Sequence, residues 1–92
     1  MEKIEFDRMK NWANIQKHGM SLSTAANALH DPNALIEYDE IHSAEEERFH
    51  LIGEIDGRIV FLVYTMRGDT IRLISGRPAT GRECQRYYER EM

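Results

Sequence analysis

Residues 48–75 read RFHLIGEIDGRIVFLVYTMRGDTIRLIS, and this stretch decides the fold. It contains three runs rich in β-branched and aromatic residues, which favour extended structure, separated by Asp56-Gly57 and by Gly68-Asp69. Asp-Gly between two apolar runs is the strongest short-range signal of a β-hairpin, because both residues tolerate the positive φ angles of a type I′ turn. The sequence therefore predicts a consecutive antiparallel meander with strands at 48–55, 58–66 and 70–75.

A short strand and a helix are predicted near the start of the chain. Polar and apolar residues alternate over 3–6, which is typical of a strand. Asp7 stands where a helix beginning at Arg8 needs an N-cap. Gly19 is placed to end this helix, because glycine readily adopts the left-handed conformation that follows a last helical turn.

A second helix should complete a helical hairpin. Ser21 or Ser23 can cap its start, and Pro32 closes it. The first helix carries three large apolar side chains at spacings of three residues: Met9, Trp12 and Ile15. Because residues at this spacing share a helical face, we expect that face to pack on the sheet and Trp12 to be buried.

The remaining segments complete one domain. Residues 34–38 form a strand candidate, and residues 39–47 are expected to be a solvated acidic loop. Thr80 and Glu83 fit a capping box, in which each side chain bonds the other residue's backbone amide, so a last helix should run to about Arg90. A chain of 92 residues is the size of a single domain. We therefore expect one α+β domain spanning residues 1–92.

Both faces of the predicted sheet are apolar at their centre. Two-residue turns would place Ile55 opposite Arg58 and Arg67 opposite Thr70, and the rest of the ladder follows by counting. One face is then expected to hold an apolar centre with a cationic rim, comprising Ile52, Phe61, Val63 and Ile74 rimmed by Arg48, Arg67 and Arg72. The helical hairpin can cover one face; the C-terminal helix or a separate protein must cover the other.

Charge is distributed unevenly along the chain, whose net charge is −4. Residues 1–46 carry four basic and nine acidic side chains, or −5, whereas residues 47–92 carry eight arginines and seven acidic side chains, or +1. No apolar run reaches the roughly 18 residues that a membrane span needs. The single cysteine, Cys84, can form no internal disulfide. A cytoplasmic protein is the expectation.

Several short motifs occur in a fixed order along the chain. They are Lys17-His18-Gly19, Glu47-Arg48-Phe49, Ile52-Gly53, Tyr64-Thr65-x-Arg67 and Arg72-x-Ile74-Ser75-x-Arg77-x-Ala79. This series resembles the BrnT toxin family of type II toxin–antitoxin systems. The resemblance implies a RelE-like ribonuclease fold, with a twisted antiparallel sheet packed against the helices, and an RNA-cleaving activity. It also implies a BrnA-like antitoxin with a ribbon-helix-helix part, which neutralises the toxin by direct binding.

RNA cleavage without a metal needs a base for the 2′-hydroxyl, cations at the phosphorane and an acid for the leaving oxygen. Arginine suits the second role, because its planar fork matches two phosphate oxygens. Histidine suits the first, because its pKa lies near neutrality. The predicted catalytic residues are Arg67, Arg77, His18 and Arg48. The predicted RNA-binding residues are Arg72, Arg82, Arg86 and Lys17. No cofactor or metal site is predicted.

Other interpretations remain open from the sequence. His50, on the arginine-bearing face, is a candidate base comparable to His18. One of Tyr87 and Tyr88 is expected to be buried in the core. Arg82, Arg86 and Arg90 stand four residues apart, and such a stripe is more typical of a solvated helix face than of a surface that binds phosphates or an acidic partner. A helix-turn-helix DNA module is disfavoured, because residues 18–47 contain no lysine or arginine.

A catalytically inactive adaptor or degenerate toxin is the alternative function. Relatives often carry an alanine and two basic residues where this chain has Gly76, Pro78 and Gly81. If the chain is an active toxin, the antitoxin is expected to bind over or beside the arginine-bearing face and to compete with RNA there.

Overall fold

Three helices and five strands make up the part of the chain that the computed structural model describes, residues 3–90. In chain order these are β1 (Lys3–Glu5), α1 (Arg8–His18), α2 (Leu22–Ala25) with a 3-10 turn (Ala26–His30), β2 (Leu35–Tyr38), β3 (Phe49–Ile55), β4 (Arg58–Arg67), β5 (Thr70–Pro78) and α3 (Gly81–Glu89). The architecture is α+β, as predicted. No helix within residues 3–90 has the length and apolar character needed to cross a membrane.

The five strands form one sheet in the order β1-β5-β4-β3-β2. Strands β3, β4 and β5 pair antiparallel in sequence order, so the predicted meander is confirmed. The expectation of a wholly antiparallel sheet is wrong, because β1 pairs with β5 in parallel. The helices and strands β2 to β4 lie between β1 and β5 in the chain, so the last strand of the described chain pairs with the first.

A bulge in β5 alters the predicted register. Thr65 lies opposite Arg72, as predicted, but a shift follows between Val63 and Tyr64, and Val63 lies opposite Ser75. The predicted pairing of Val63 with Ile74 is therefore wrong, because Ile74 is the extra residue of the bulge. Beyond the bulge, Arg77 comes to lie opposite Phe61.

The local helix signals predicted the helix ends well. The Asp7 carboxylate accepts bonds from the Met9 and Lys10 amides, and Gly19 is left-handed with φ 69°. Ser21, and not Ser23, caps α2, and Thr80 and Glu83 form the predicted capping box. The second helix is shorter than predicted, because it tightens to a 3-10 turn from Ala26.

One sheet face packs against α2 and the 3-10 turn. Leu22, Ala25 and Ala28 are fully buried there with Leu51 and Leu62 of the sheet. Two glycines allow this close approach. A Cβ at Gly76 would lie 2.4 Å from the Ala25 Cβ, and one at Gly53 would lie 2.9 Å from the Ala28 carbonyl oxygen.

Helix α1 presents its apolar side chains to solvent, so the predicted burial of Trp12 is wrong. Met9, Trp12 and Ile15 are 73%, 60% and 39% exposed. The buried residue of α1 is Asn14, whose Nδ2 donates to the carbonyls of Met20 and Gly76, both at 2.7 Å, and whose Oδ1 accepts from the Gly76 amide at 3.2 Å. Because α1 lies beside the polar edge of β5, its inner face needs hydrogen-bonding groups.

Helix α3 covers the centre of the other sheet face. Ile52, Ile59 and Tyr87 are buried together, with Phe61 and Cys84 packed around them. The expectation that Ile52 and Phe61 form an open apolar centre is therefore wrong, because the C-terminal helix already occupies it. Tyr87 is the core tyrosine of its pair, and Tyr88 is exposed.

The contact at Gly76 predicts a matched pair of substitutions. Gly76→Ala forces α2 away from the sheet, and overpacking of this kind costs about 1–3 kcal/mol of unfolding free energy. Gly81→Ala is the control, because a Cβ at Gly81 meets nothing within 4 Å and alanine is the better helix former. Urea unfolding of both variants measures the difference. Equal stability of the two variants would contradict the close packing of α2 on β5.

Candidate functional site

A groove of about 230 Å³ runs between α1 and the edge of β5, and we call it the α1–β5 groove. It is lined by Lys10, Ala13, Asn14, Lys17, His18, Ile74 and Ser75. The groove exists because β1 pairs with β5 only as far as Arg72. Beyond that residue the bulged edge of β5 has no neighbouring strand in the described chain, and α1 lies beside it.

The α1–β5 groove is positively charged. Lys10 and Lys17 are seven residues apart, so they lie on the same side of α1. The helix, residues 8–18, contains no acidic side chain and ends in Lys17 and His18. Exposed lysines at the mouth of a groove attract anions and can bind phosphate as point charges. Lys17 and His18, both predicted site residues, line this groove.

His18, the last residue of α1, has an altered pKa. Burial lowers the pKa of its imidazole below the ordinary 6.5, and the positive charges of Lys17 and Arg77 lower it further. Each cause disfavours the imidazolium form. The ring is therefore neutral at neutral pH, which is the state in which an imidazole can accept a proton. The effect of Arg77 also places that guanidinium within electrostatic reach of His18.

Arg77 lies on β5 next to the groove and is held by several contacts. Its two terminal nitrogens donate to the two carboxylate oxygens of Glu83 at 2.8 and 2.9 Å. One of them also donates to the Pro78 carbonyl at 3.2 Å, and the guanidinium carbon lies 4.3 Å from the Phe61 ring centre. This predicted catalytic residue therefore joins β5 to the start of α3, and Glu83 balances much of its charge.

Three predicted arginines lie at the other end of the sheet. Arg72 donates to Glu5 at 3.0 Å, and exposed Arg67 has a weak contact with Glu46 at 3.9 Å. Arg48 directly precedes β3, and its Nε is buried with no hydrogen-bond partner among residues 3–90. Arg72 and Arg77 are five residues apart on one strand, or roughly 16 Å. None of Arg48, Arg67 and Arg72 lines the α1–β5 groove, although Arg72 is two residues before Ile74 on β5.

The arginines of α3 are divided between solvent and structure. Arg82 is exposed. Arg86 pairs with Glu37 of β2, and Arg90 donates to the Ala34 carbonyl at 2.7 Å. Two of the three members of the predicted basic stripe thus attach the end of α3 to the β2 region, which leaves Arg82 as its outward cation.

The carboxylate of Asp39 lies at the centre of a second cluster of polar side chains. Asp39 is buried, so the prediction that residues 39–47 form a solvated loop is wrong at this position. Asp39 accepts a 2.9 Å bond from each of His42 Nδ1 and His50 Nε2, and from the backbone amides of Ile41 and His42. Burial opposes ionisation of Asp39, but these bonds and the two imidazoles outweigh it and hold the pKa of its carboxyl below the ordinary value. His50 is therefore held by its hydrogen bond to Asp39, and the centre of its ring lies 4.9 Å from the centre of the Phe61 ring.

Lys10 and Ser75 are groove residues that the sequence analysis did not assign. The seven-residue spacing of Lys10 and Lys17 is a signal that could have placed both on one helix side. Ser75 had no such signal, because its position at the groove depends on the bulge at Ile74. Among residues 3–90, no three histidine, cysteine, aspartate or glutamate side chains converge as metal ligands.

Loss of the Glu83 carboxylate should destabilise the chain. Burial opposes ionisation of Glu83, but bonds from Arg77 and Thr80 prevail and lower the pKa of its carboxyl below 4.5. The contribution of Glu83 is therefore complete above pH 4.5 and disappears as the pH falls through the lowered pKa. Because the carboxylate accepts charge-assisted bonds, we expect Glu83→Gln to lower the unfolding free energy at pH 7 by about 1–3 kcal/mol.

Thermal or urea unfolding from pH 7 to pH 3 measures this effect. The difference between Glu83→Gln and the unsubstituted chain should shrink in acid. Glu89→Gln is the control, because Glu89 is exposed and accepts a bond from Gln85 on its own helix. A difference that stays constant down to pH 3 would contradict the assignment to the Arg77–Glu83 pair.

A family model described as the ribonuclease toxin BrnT of type II toxin–antitoxin systems matches residues 6–83. The match spans every element from α1 to β5 and includes Lys17, His18, Ser75 and Arg77. No curated protein matches the chain.

Proposed function

Because the chain belongs to the BrnT family of type II toxin–antitoxin ribonuclease toxins, we propose that it cleaves RNA at the α1–β5 groove. The observation that carries this proposal is the meeting of Lys17 and His18 from α1 with Ser75 from β5 in one positively charged groove beside Arg77. Lys17 and His18 are distant in sequence from Ser75. The bulge at Ile74 and the hydrogen bonds between Asn14 and Gly76 bring the two segments together.

The RNA backbone is expected to follow the cations of the groove. Lys10 and Lys17 can neutralise successive phosphates, as lysines do in nucleic-acid complexes. Arg77 borders the path, and exposed Arg82 at the start of α3 can extend it. Arg48, Arg67 and Arg72 are not among the residues that line the groove, so their proposed contribution is to hold a longer RNA and not to act at the reacting phosphate.

His18 is the proposed general base. Its neutral imidazole takes the proton of a ribose 2′-hydroxyl, the 2′-oxygen bonds to the adjacent phosphorus, and the bond from phosphorus to the 5′-oxygen breaks. A water molecule in the open groove gives a proton to the departing 5′-oxygen, which leaves a cyclic phosphate and a free 5′-hydroxyl, and the hydroxide that remains takes the proton from His18 and becomes water. Lys17 and Arg77 stabilise the charge that develops on the phosphorane. This route requires no metal ion.

The finer fold and partner assignments are also proposals. An antiparallel meander with α2 on one face, α3 on the other and α1 beside the edge of β5 supports a RelE-like ribonuclease fold. Membership of a type II family supports a protein antitoxin, which we propose to be BrnA-like with a ribbon-helix-helix part.

A second candidate function is an inactive, antitoxin-binding toxin relative. The observation that favours it is the pairing of predicted cations within the chain: Arg72 with Glu5, Arg77 with Glu83 and Arg86 with Glu37. A cation already paired is less available to phosphate. Cleavage assays with the purified chain decide between the two functions.

Substitution of His18 tests the proposed base. We expect His18→Gln to lower the cleavage rate by roughly 10²- to 10⁴-fold, the usual range for loss of a general base. In the unsubstituted chain the rate should fall with acidity only below pH 6.5, because the lowered pKa keeps His18 neutral down to that range. The substituted chain should lack this acid limb.

His30→Gln is the matched control, because His30 is exposed on the 3-10 turn away from the groove. It should leave both rate and pH profile unchanged. A chelator should also leave the rate unchanged. Retention of the acid limb in His18→Gln would contradict the assignment of the base, and loss of cleavage on chelation would contradict the metal-free route.

A further inference from the structure

The outer side of α1 carries an apolar surface that residues 3–90 leave exposed. Met9, Trp12 and Ile15 lie on consecutive turns, and Trp12 is the single tryptophan of the chain. Isolated exposed apolar side chains are ordinary. Three large ones in a row on one helix, with tryptophan at the centre, have the composition of the central residues of a protein interface. We call these three residues the α1 stripe.

Helix α1 itself is positively charged, and the Asp7 carboxylate at its N-cap is bonded to the amides of Met9 and Lys10. Helix α1 carries Arg8, Lys10 and Lys17 and no acidic side chain, although residues 1–46 as a whole have a charge of −5. Arg8 lies next to the stripe, because it is four residues before Trp12 on the same side of the helix. A segment that covers the stripe gains most if it is apolar on one side and acidic along its borders.

An RNA strand fits the α1 stripe less well than a protein segment. Bases bind side chains chiefly by stacking on aromatic rings or on arginine. Of the stripe, only Trp12 offers a ring, whereas Met9 and Ile15 offer aliphatic surface. Aliphatic and aromatic side chains together favour the apolar face of a peptide helix.

We infer that the α1 stripe is a docking site for an acidic amphipathic segment of the antitoxin. The inference uses the antitoxin partner that family membership implies and does not depend on catalysis at the groove. It also departs from the expectation that the antitoxin sits on the arginine-bearing sheet face, because α3 covers the apolar centre of that face.

The test uses the full chain with purified cognate antitoxin. Incorporation of 5-fluorotryptophan gives one fluorine resonance, which reports Trp12 alone because the chain has no other tryptophan. We expect saturating antitoxin to shift this resonance and to protect it from a soluble paramagnetic reagent. A non-cleavable 2′-O-methyl RNA should leave it unshifted.

Affinity measurements by calorimetry complete the test. Trp12→Ala, Met9→Ser and Arg8→Glu should each weaken antitoxin binding at least tenfold, and Arg8→Glu should also reduce the salt dependence of Kd. Controls are Ile41→Ser, at a residue that is 84% exposed after β2, and Arg58→Glu, at the β3–β4 turn. Both controls should bind within twofold of the unsubstituted chain.

Three outcomes of the fluorine measurement would overturn the inference, and so would unchanged Kd in the stripe variants. In the first, the Trp12 resonance would not change at saturating antitoxin. In the second, it would shift with RNA and not with antitoxin. In the third, it would shift with toxin concentration alone, which would indicate that a second copy of the chain covers the stripe. Each readout is a binding measurement. Absence of RNA cleavage by the unsubstituted chain would therefore count against the proposed function and leave the docking site standing. Unchanged Kd in the stripe variants would count against the docking site and leave the proposed function standing.

Discussion

The side-chain amide of Asn14 acts in place of a missing β-strand along the edge of β5. It bonds both the amide and the carbonyl of Gly76 and also holds the Met20 carbonyl at the end of α1. This clamp sets α1 beside the sheet, and the groove, the position of His18 and the exposure of Trp12 all follow from it. A buried amide is used here because an unpaired strand edge must find hydrogen-bond partners.

The bulge at Ile74 has a comparable influence on the proposed site. It brings Ser75 opposite Val63 and Arg77 opposite Phe61, so that Arg77 can reach Glu83 of the α3 capping box. One arginine then supports the C-terminal helix and adds positive charge near His18. The same pairing that secures the fold reduces the freedom of Arg77 to follow a phosphate, so His18 and Lys17 are the sharper targets for mutation.

Local signals predicted most elements of this fold correctly. The Asp56-Gly57 turn, the Asp7 and Thr80 caps and the left-handed Gly19 each depend on a few adjacent residues, and all appear where predicted. The errors concern partners distant in sequence. A three-residue apolar spacing in α1 predicted burial of Trp12, but it could not show that α1 would lie at a sheet edge. Counting from the turns predicted the register as far as Tyr64 and Leu73 and failed at the bulge.

The sequence by itself determined the strands, the turns, the helix ends and the motifs that mark the BrnT family, because each is encoded by side chains that act on their own backbone or on near neighbours. Tertiary structure decided which residues share a site. Lys17 and Ser75 line one groove, whereas Arg72 and Arg77, on the same strand, are directed to Glu5 and Glu83. The reason is that these positions depend on contacts between segments that are distant in sequence. The pairing of β1 with β5, the bulge at Ile74 and the bonds of Asn14 to Gly76 form only when those segments pack together.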